Sequence, residues 1–198
     1  MKDKFIEENV VIEDGVVIEP FVKLLGNTVI KKGAIIKSFT EINNSIIGEN
    51  TIVDSSTVLD SKIGNNNNIG PRAYIRNNTE TKENAKVGFS VEVKNSIIGN
   101  NTKVSHLSYI GDSILGDNIN IGAGTITANY DGINKNKTII EDNCFIGSNT
   151  VLIAPIKIGK GSKVAAGSTL NQDVKPDSLA IARTRQITKE NYYKNEII

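Results

Sequence analysis

Aliphatic residues return every six positions along this chain. They stand at Ile12, Ile18, Leu24, Ile30, Ile36 and Ile42, again at Ile63, Ile69 and Ile75, and later at Ile140, Ile146, Leu152, Ile158, Val164 and Leu170. Glycine follows many of them at once, as in Ile63-Gly64, Val87-Gly88, Ile121-Gly122 and Ile146-Gly147. Four places after a leading aliphatic stands a small or apolar residue, such as Ala34, Ala73, Val91, Thr102, Ser108, Thr125, Cys144 and Thr150. Six is no multiple of the helical period; it suits short strands broken by tight turns. A fixed repeat of this kind predicts an all-β solenoid, a hexapeptide-repeat parallel β-helix, with three hexads making one triangular coil of about 18 residues. Coils stack at strand spacing, about 4.7–4.9 Å. The tract through residue 170 supplies about nine coils. Residues 171–198 read as a charged tail with a short helix around Glu190–Lys194.

The register slips by one residue between Val93 and Ile98 and between Ile110 and Leu115. The stretch from Ala128 to Lys137 replaces a hexad with a longer excursion, and loops extruded from a rigid scaffold tend to carry function. Counting in threes puts Val104, Ile121, Ile146 and Val164 at the start of hexads on one face. The residues two places on, His106, Ala123, Ser148 and Ala166, then form one outward column. On the next face Ile75 and Val93 lie one coil apart, which stacks Arg76 under Lys94. A histidine, two cations, a loop and a strip of small residues are therefore expected to converge near one edge.

His106 is the one histidine of the chain and the one side chain whose ordinary pKa lies near neutrality, which fits a general base. Stacked Arg76 and Lys94 repel unless an anion sits between them. Two unit charges that close cost about 1 kcal/mol in water and about 3–4 kcal/mol near a protein surface. A phosphate meets the demand, with a bidentate fork from Arg and a point charge from Lys. The small column of Ala123, Ser148 and Ala166 reads as a shallow channel for an extended ligand. Gly122-Ala123-Gly124 lacks the third glycine and the helix of a dinucleotide fingerprint. Zinc sites need three or four ligands, and no Cys/His cluster exists, so no metal is expected.

Composition adds bounds. The chain has 198 residues, a formal net charge of +1 and 23% charged residues, which gives no reason to expect nucleic acid or membrane as a partner. No apolar run reaches the roughly 18 residues of a spanning helix. The first residues, Met1 to Glu8, lack the apolar core of a signal peptide, and the expected compartment is the cytoplasm. Cys144 is the single cysteine; its place in a small-residue slot predicts a buried structural thiol.

The segments His106-Leu107-Ser108-Tyr109-Ile110-Gly111-Asp112 and Asn120-Ile121-Gly122-Ala123-Gly124-Thr125-Ile126-Thr127-Ala128-Asn129-Tyr130-Asp131-Gly132 carry a resemblance. The chain resembles the C-terminal acetyltransferase domain of the bifunctional UDP-N-acetylglucosamine pyrophosphorylase/glucosamine-1-phosphate N-acetyltransferase family (GlmU), strongly from Ile69 to Arg183. The resemblance implies a left-handed β-helix, a homotrimer with active sites between subunits, and acetyl-CoA as cosubstrate in forming N-acetylglucosamine-1-phosphate. By the same likeness His106 is the base and Asn129 a candidate oxyanion donor. Arg76, Lys94, Tyr109, Asn120 and Lys135 match sugar-phosphate contacts. Ala123, Asn129, Tyr130, Ser148, Ala166 and Arg183 match the acetyl-CoA groove. The family's nucleotidyltransferase domain is absent from these 198 residues, so uridylyl transfer and its magnesium are not expected. Two rivals stand beside this reading: an acetyltransferase for another amino sugar, and a non-catalytic trimeric scaffold or regulatory partner. A γ-class carbonic anhydrase requires three histidines, and His106 stands alone.

Overall fold

The computed structural model describes residues 4–192 and contains three parallel sheets of 10, 9 and 10 strands. Strands three apart in sequence are neighbours in every sheet as far as Thr169–Leu170. The chain therefore climbs a three-sided prism. The first face holds Tyr74–Arg76, Glu92–Lys94, Tyr109–Gly111 and Ile126–Ala128. The second holds Ile97–Ile98, Ser113–Leu115 and Thr138–Ile140. The third holds Lys86–Phe89, Lys103–His106, Asn120–Ile121 and Phe145–Ile146.

The hexad residues form the core. Leu24, Ile42, Val58, Ile75, Val93, Ile110 and Leu152 stack in register on the first face, and none has exposed surface. In this ladder Thr127 replaces an aliphatic residue. Its Oγ1 accepts the Gly111 N–H at 2.8 Å, so the polar atom is satisfied although buried. The glycine after a ladder residue is a matter of clearance. A Cβ on Gly122 would lie 2.4 Å from the Ser148 nitrogen of the coil above, and one on Gly147 would lie 2.4 Å from the Ala166 nitrogen.

Corners depart from the even beat. Five-residue steps at Ile42 to Ile47, Val53 to Val58 and Val58 to Ile63 join the two slips seen in the sequence, and the first two leave the coil from Ile42 to Val58 two residues short of three hexads. Each short step uses one left-handed residue followed by serine: Asn44-Ser45, Ser55-Ser56, Asp60-Ser61, Asn95-Ser96 and Asp112-Ser113. The serine hydroxyl donates back to the carbonyl two residues earlier, at 2.6–2.8 Å. That local bond offers the backbone a tight turn. Asparagine and aspartate supply the positive φ at small cost. In the Asn65–Asn68 corner Asn66 takes that role while Asn67 is buried.

The ladder runs on past Leu170. Val174 bridges Ile158, and Leu179–Ala180 pairs with Lys163–Val164, so the first part of the expected tail is a last, irregular turn of the prism. Its beat is broken because Val174 follows Leu170 by only four residues, in a turn fixed where Asp173 accepts the Lys157 N–H at 2.8 Å. Residues 183–189 are exposed and irregular, a turn follows at Glu190 and Asn191, and the rest of the expected helix lies outside the described residues. Cys144 is buried; its thiol donates to the Gly159 carbonyl at 3.1 Å, and burial pushes its pKa up. Among the described residues no helix is long and apolar enough to cross a membrane.

Truncating Ile75 to alanine, which empties a fully buried ladder position, is expected to cost about 2–5 kcal/mol in urea denaturation. The same change at Ile133, 87% exposed on the excursion, is expected to stay within about 0.5 kcal/mol.

Candidate active site

The vertical alignment of the cations is observed: Arg76 and Lys94 are direct partners in adjacent coils of the first face. Arg76, however, already has a carboxylate. Its Nη2 and Nε donate to Glu92 Oε1 at 2.7 and 3.0 Å, and its Nη1 donates to Asn77 Oδ1 at 3.0 Å. The Tyr74 ring lies 5.4 Å below the guanidinium. The Glu92 bond raises the Arg76 pKa. The expected demand for an anion therefore does not come from the Arg76–Lys94 pair alone. It comes from Lys94 and Lys135. The Lys135 side chain meets Lys94, and that contact, followed by burial, lowers the Lys94 pKa; the charge of Asp112 works the other way and Arg76 adds to the lowering.

Lys135 arrives on the excursion, which is tightly built. Asn129 and Asn136 close its base through the Asn136 N–H and Asn129 carbonyl at 2.7 Å, and Tyr130 bridges Lys135 in antiparallel fashion. The Asp131 carboxylate accepts the N–H groups of Asn134 and Ile133 at 2.7 and 2.8 Å and the Asn136 amide at 2.9 Å. The bonds from Asn134 and Ile133 hold its pKa below the ordinary carboxylate value. At the root, the Asn129 amide donates to Asp112, and Asn129 is only 7% exposed. Tyr109 lies along the same face. Its hydroxyl covers Gly111, where an added Cβ would come within 2.4 Å of it, and Gly111 is the residue directly above Lys94.

The second group of residues follows the corner between the third and first faces. Backbone hydrogen bonds there run Gly124 N–H to His106 carbonyl at 3.4 Å, Asn149 to Ala123 at 2.8 Å and Gly167 to Ser148 at 2.8 Å. They stack His106, Ala123, Ser148 and Ala166 as a column. Arg183 reaches its top, with its Cδ 3.8 Å from where a Gly167 Cβ would stand. His106 is exposed, sits over Phe89 in register, and among the described residues its imidazole has no hydrogen-bond partner. Tyr130 is 61% exposed.

The two groups border one face but from opposite edges. His106 is five residues before Gly111, up to about 16 Å of extended chain, so in a single prism they do not meet at one edge as the sequence suggested. Asn120 lies on the third face, around the corner from Tyr109. Among the described residues no cluster of three or more His, Cys, Asp or Glu side chains is placed to hold a metal.

Comparisons with known proteins agree with the repeat. The profile described as the bacterial transferase hexapeptide (six repeats) matches residues 9–44, that of the GMPPB C-terminal domain residues 57–133, and that of the hexapeptide repeat of succinyl-transferase residues 137–172. The bifunctional protein GlmU of Carboxydothermus hydrogenoformans is 52% identical over 190 residues, 96% of this chain and 43% of the relative. GlmU of Staphylococcus haemolyticus is 47% identical over 190 residues, 96% of this chain and 42% of the relative. This is a hexapeptide-repeat chain whose relatives are GlmU proteins. It spans less than half the length of those relatives and matches their C-terminal part. Among solved structures, a UDP-N-acetylglucosamine acyltransferase from Arabidopsis is 20% identical with a TM-score of 0.59, over 90% of this chain and 69% of the other. That likeness shows the shared fold.

Glu92, Asp112 and Gly111 were missed by sequence reasoning. Glu92 had a signal: two residues before Lys94 on a strand, it shares the same outward face. The burial of Asp112 had none, because a corner aspartate reads as turn chemistry.

Lys94 yields a prediction whose sign can be worked out. Its folded pKa lies below the ordinary value, so folding disfavours its protonated form; the penalty is present at neutral pH and is relieved only as pH rises through the folded pKa. Replacing Lys135 with methionine is expected to raise the melting temperature in low-salt buffer. It should also shrink the extra stabilisation given by inorganic phosphate, read in the same melts.

Proposed function

We propose that this chain is an acetyltransferase that moves the acetyl group of acetyl-CoA to the amine of glucosamine-1-phosphate. The observation that carries the reading is the convergence of Arg76, Lys94 and Lys135 on one face, where one carboxylate pairs only Arg76 and the two ammonium groups face each other. A phosphorylated sugar supplies the missing negative charge. The GlmU relatives, matched over nearly the whole chain, supply the choice of amino sugar.

The amine must be unprotonated to attack. Its nitrogen adds to the thioester carbonyl, and the resulting tetrahedral oxyanion is steadied by backbone N–H groups and the Asn129 amide. His106 removes the extra proton from nitrogen. The C–S bond breaks, and the proton passes to the departing CoA thiolate. Tyr109, Asn120 and Lys135 hold the sugar, while the low column of Ala123, Ser148 and Ala166 leaves room for the pantetheine arm, with Tyr130 beside it and Arg183 as partner for a phosphate of CoA. No enzyme nucleophile is needed, in keeping with the buried Cys144. Acetyl transfer as written here uses no metal.

The separation of the two groups supports a homotrimer with sites between protomers. Residues divided between the first and third faces of one prism can meet when the first face of one protomer opposes the third face of another. The cleft between them would also offer His106 the hydrogen-bond partners that its imidazole lacks among the described residues.

Turnover of glucosamine-1-phosphate, glucosamine-6-phosphate and a UDP-linked amino sugar, followed by thiol release, tests the substrate; a preference for either of the latter two overturns the assignment. His106→Ala is expected to lower kcat by at least a hundredfold while size-exclusion mass and the β circular-dichroism signature stay unchanged. Arg76→Ala is expected to raise the KM for the sugar phosphate about tenfold or more with little change for acetyl-CoA; a change confined to acetyl-CoA exchanges the two pockets.

A further inference from the structure

Corner positions between the first and second faces form their own vertical series, Asn44, Asp60, Asn77, Asn95, Asp112, all with positive φ, and Asn129 continues it at the start of the excursion. In this series Asp112 is unlike Asp60. Asp60 is exposed and its carboxylate has no hydrogen bond among the described residues. Asp112 is 7% exposed. One of its oxygens accepts from the Asn95 amide of the coil below and the other from the Asn129 amide of the coil above. Its backbone serves the same junction: its N–H donates to the Lys94 carbonyl at 3.0 Å, and its carbonyl accepts from Thr138, where the chain returns from the excursion, at 3.4 Å.

A carboxylate at such low exposure is costly to bury unless it is hydrogen-bonded and has a charged neighbour, and the two amides meet only the first of these needs. Lys94 profits, since the Asp112 charge is the one influence acting to raise its pKa against burial, Lys135 and Arg76. We propose that Asp112 is a positioning residue for acetyl transfer. Its carboxylate orients the Asn129 amide from below and supplies a fixed counter-charge beside Lys94 from the coil above it, so that the excursion and the phosphate grip are set by one side chain. The inference rests on the acetyltransferase reading for its catalytic consequence, whereas the clamp itself does not.

Asparagine at this position tests it with little threat to the fold, because it tolerates the same positive φ and leaves the backbone bonds intact. Asp112→Asn keeps one acceptor but turns an amide N–H toward a second amide, and it removes the charge. Asn95→Ala removes the lower arm of the ladder and leaves the Asp112–Asn129 bond. For Asp112→Asn the expected result is a fall in kcat of at least tenfold, a rise in the KM for glucosamine-1-phosphate, and faster amide exchange across residues 129–137. For Asn95→Ala the expected result is kcat within about threefold of the parent with slow exchange retained. Equal kinetic losses in the two variants, or an unchanged kcat in Asp112→Asn, would overturn the proposal and leave a corner ladder of purely structural value. If the parent chain acetylates none of the amino sugars tried, the acetyltransferase reading fails instead; the exchange experiment then judges the clamp alone, and unchanged exchange in Asp112→Asn sinks it.

Discussion

Backbone hydrogen bonding between successive coils sets the spacing on which the rest of the molecule depends. Each coil lies one strand spacing above the last, about 4.8 Å, and this distance leaves no freedom at inward positions. Ladder side chains must match in size and direction, which is why Ile42, Val58, Ile75, Val93 and Ile110 repeat without exposed surface. The same spacing demands glycine where a corner passes close under the next, as at Gly122 and Gly147. Outside the prism it has the opposite effect. It brings side chains from residues far apart in sequence into fixed vertical contact, and a site can be assembled from single residues contributed by several coils.

Electrostatics shows how this geometry is used. On a flexible surface, two lysines would move apart and the repulsion would vanish into solvent. Here Lys94 is fixed by strand pairing and Lys135 by a loop whose turns are closed by Asp131 and Asn136. The like charges are held together by the backbone pairing of each lysine and by the bonds that close the loop. Arg76 is treated differently: its fork is satisfied by Glu92, which sets the guanidinium plane without filling every donor. Arg76 is oriented by Glu92, Lys94 has the Asp112 charge nearby, and Lys135 adds a further positive charge, an arrangement suited to a phosphate.

The sequence made the fold legible because the repeat is imposed by a constraint that acts on every coil. Ile63, Ile69 and Ile75 announce the period, and the stacking of Arg76 under Lys94 follows from counting. It was less informative where local turn chemistry changed the count. The five-residue steps at Asn44-Ser45 and Asp60-Ser61 depend on a serine hydroxyl bonding back to the main chain, and serine is common enough to carry no signal there. The end of the ladder was misplaced for a related reason, since Val174 returns to the interior only four residues after Leu170, before Ala180 resumes the six-residue beat. In the candidate site, the stacking of Arg76 under Lys94 was legible and its separation from His106 was not. His106 and Arg76 fall near one another when hexads are counted, yet the width of a whole face lies between them.

That width bears on how the prism could serve two substrates at once. A flat three-stranded patch cannot enclose a ligand, and the side chains of one face project in a single direction. Enclosure requires a second wall. The excursion from Asn129 to Lys137 provides part of one, since it rises at the corner and returns Lys135 over the first face. In the proposed trimer the remaining wall would come from a second prism, whose own corner column offers a straight, shallow edge of small residues. In that proposed assembly, the small side chains at Ala123, Ser148 and Ala166 and the large ones at Arg76, Lys94 and Tyr109 would be complementary halves of one cleft, kept apart in each chain by the width of a face.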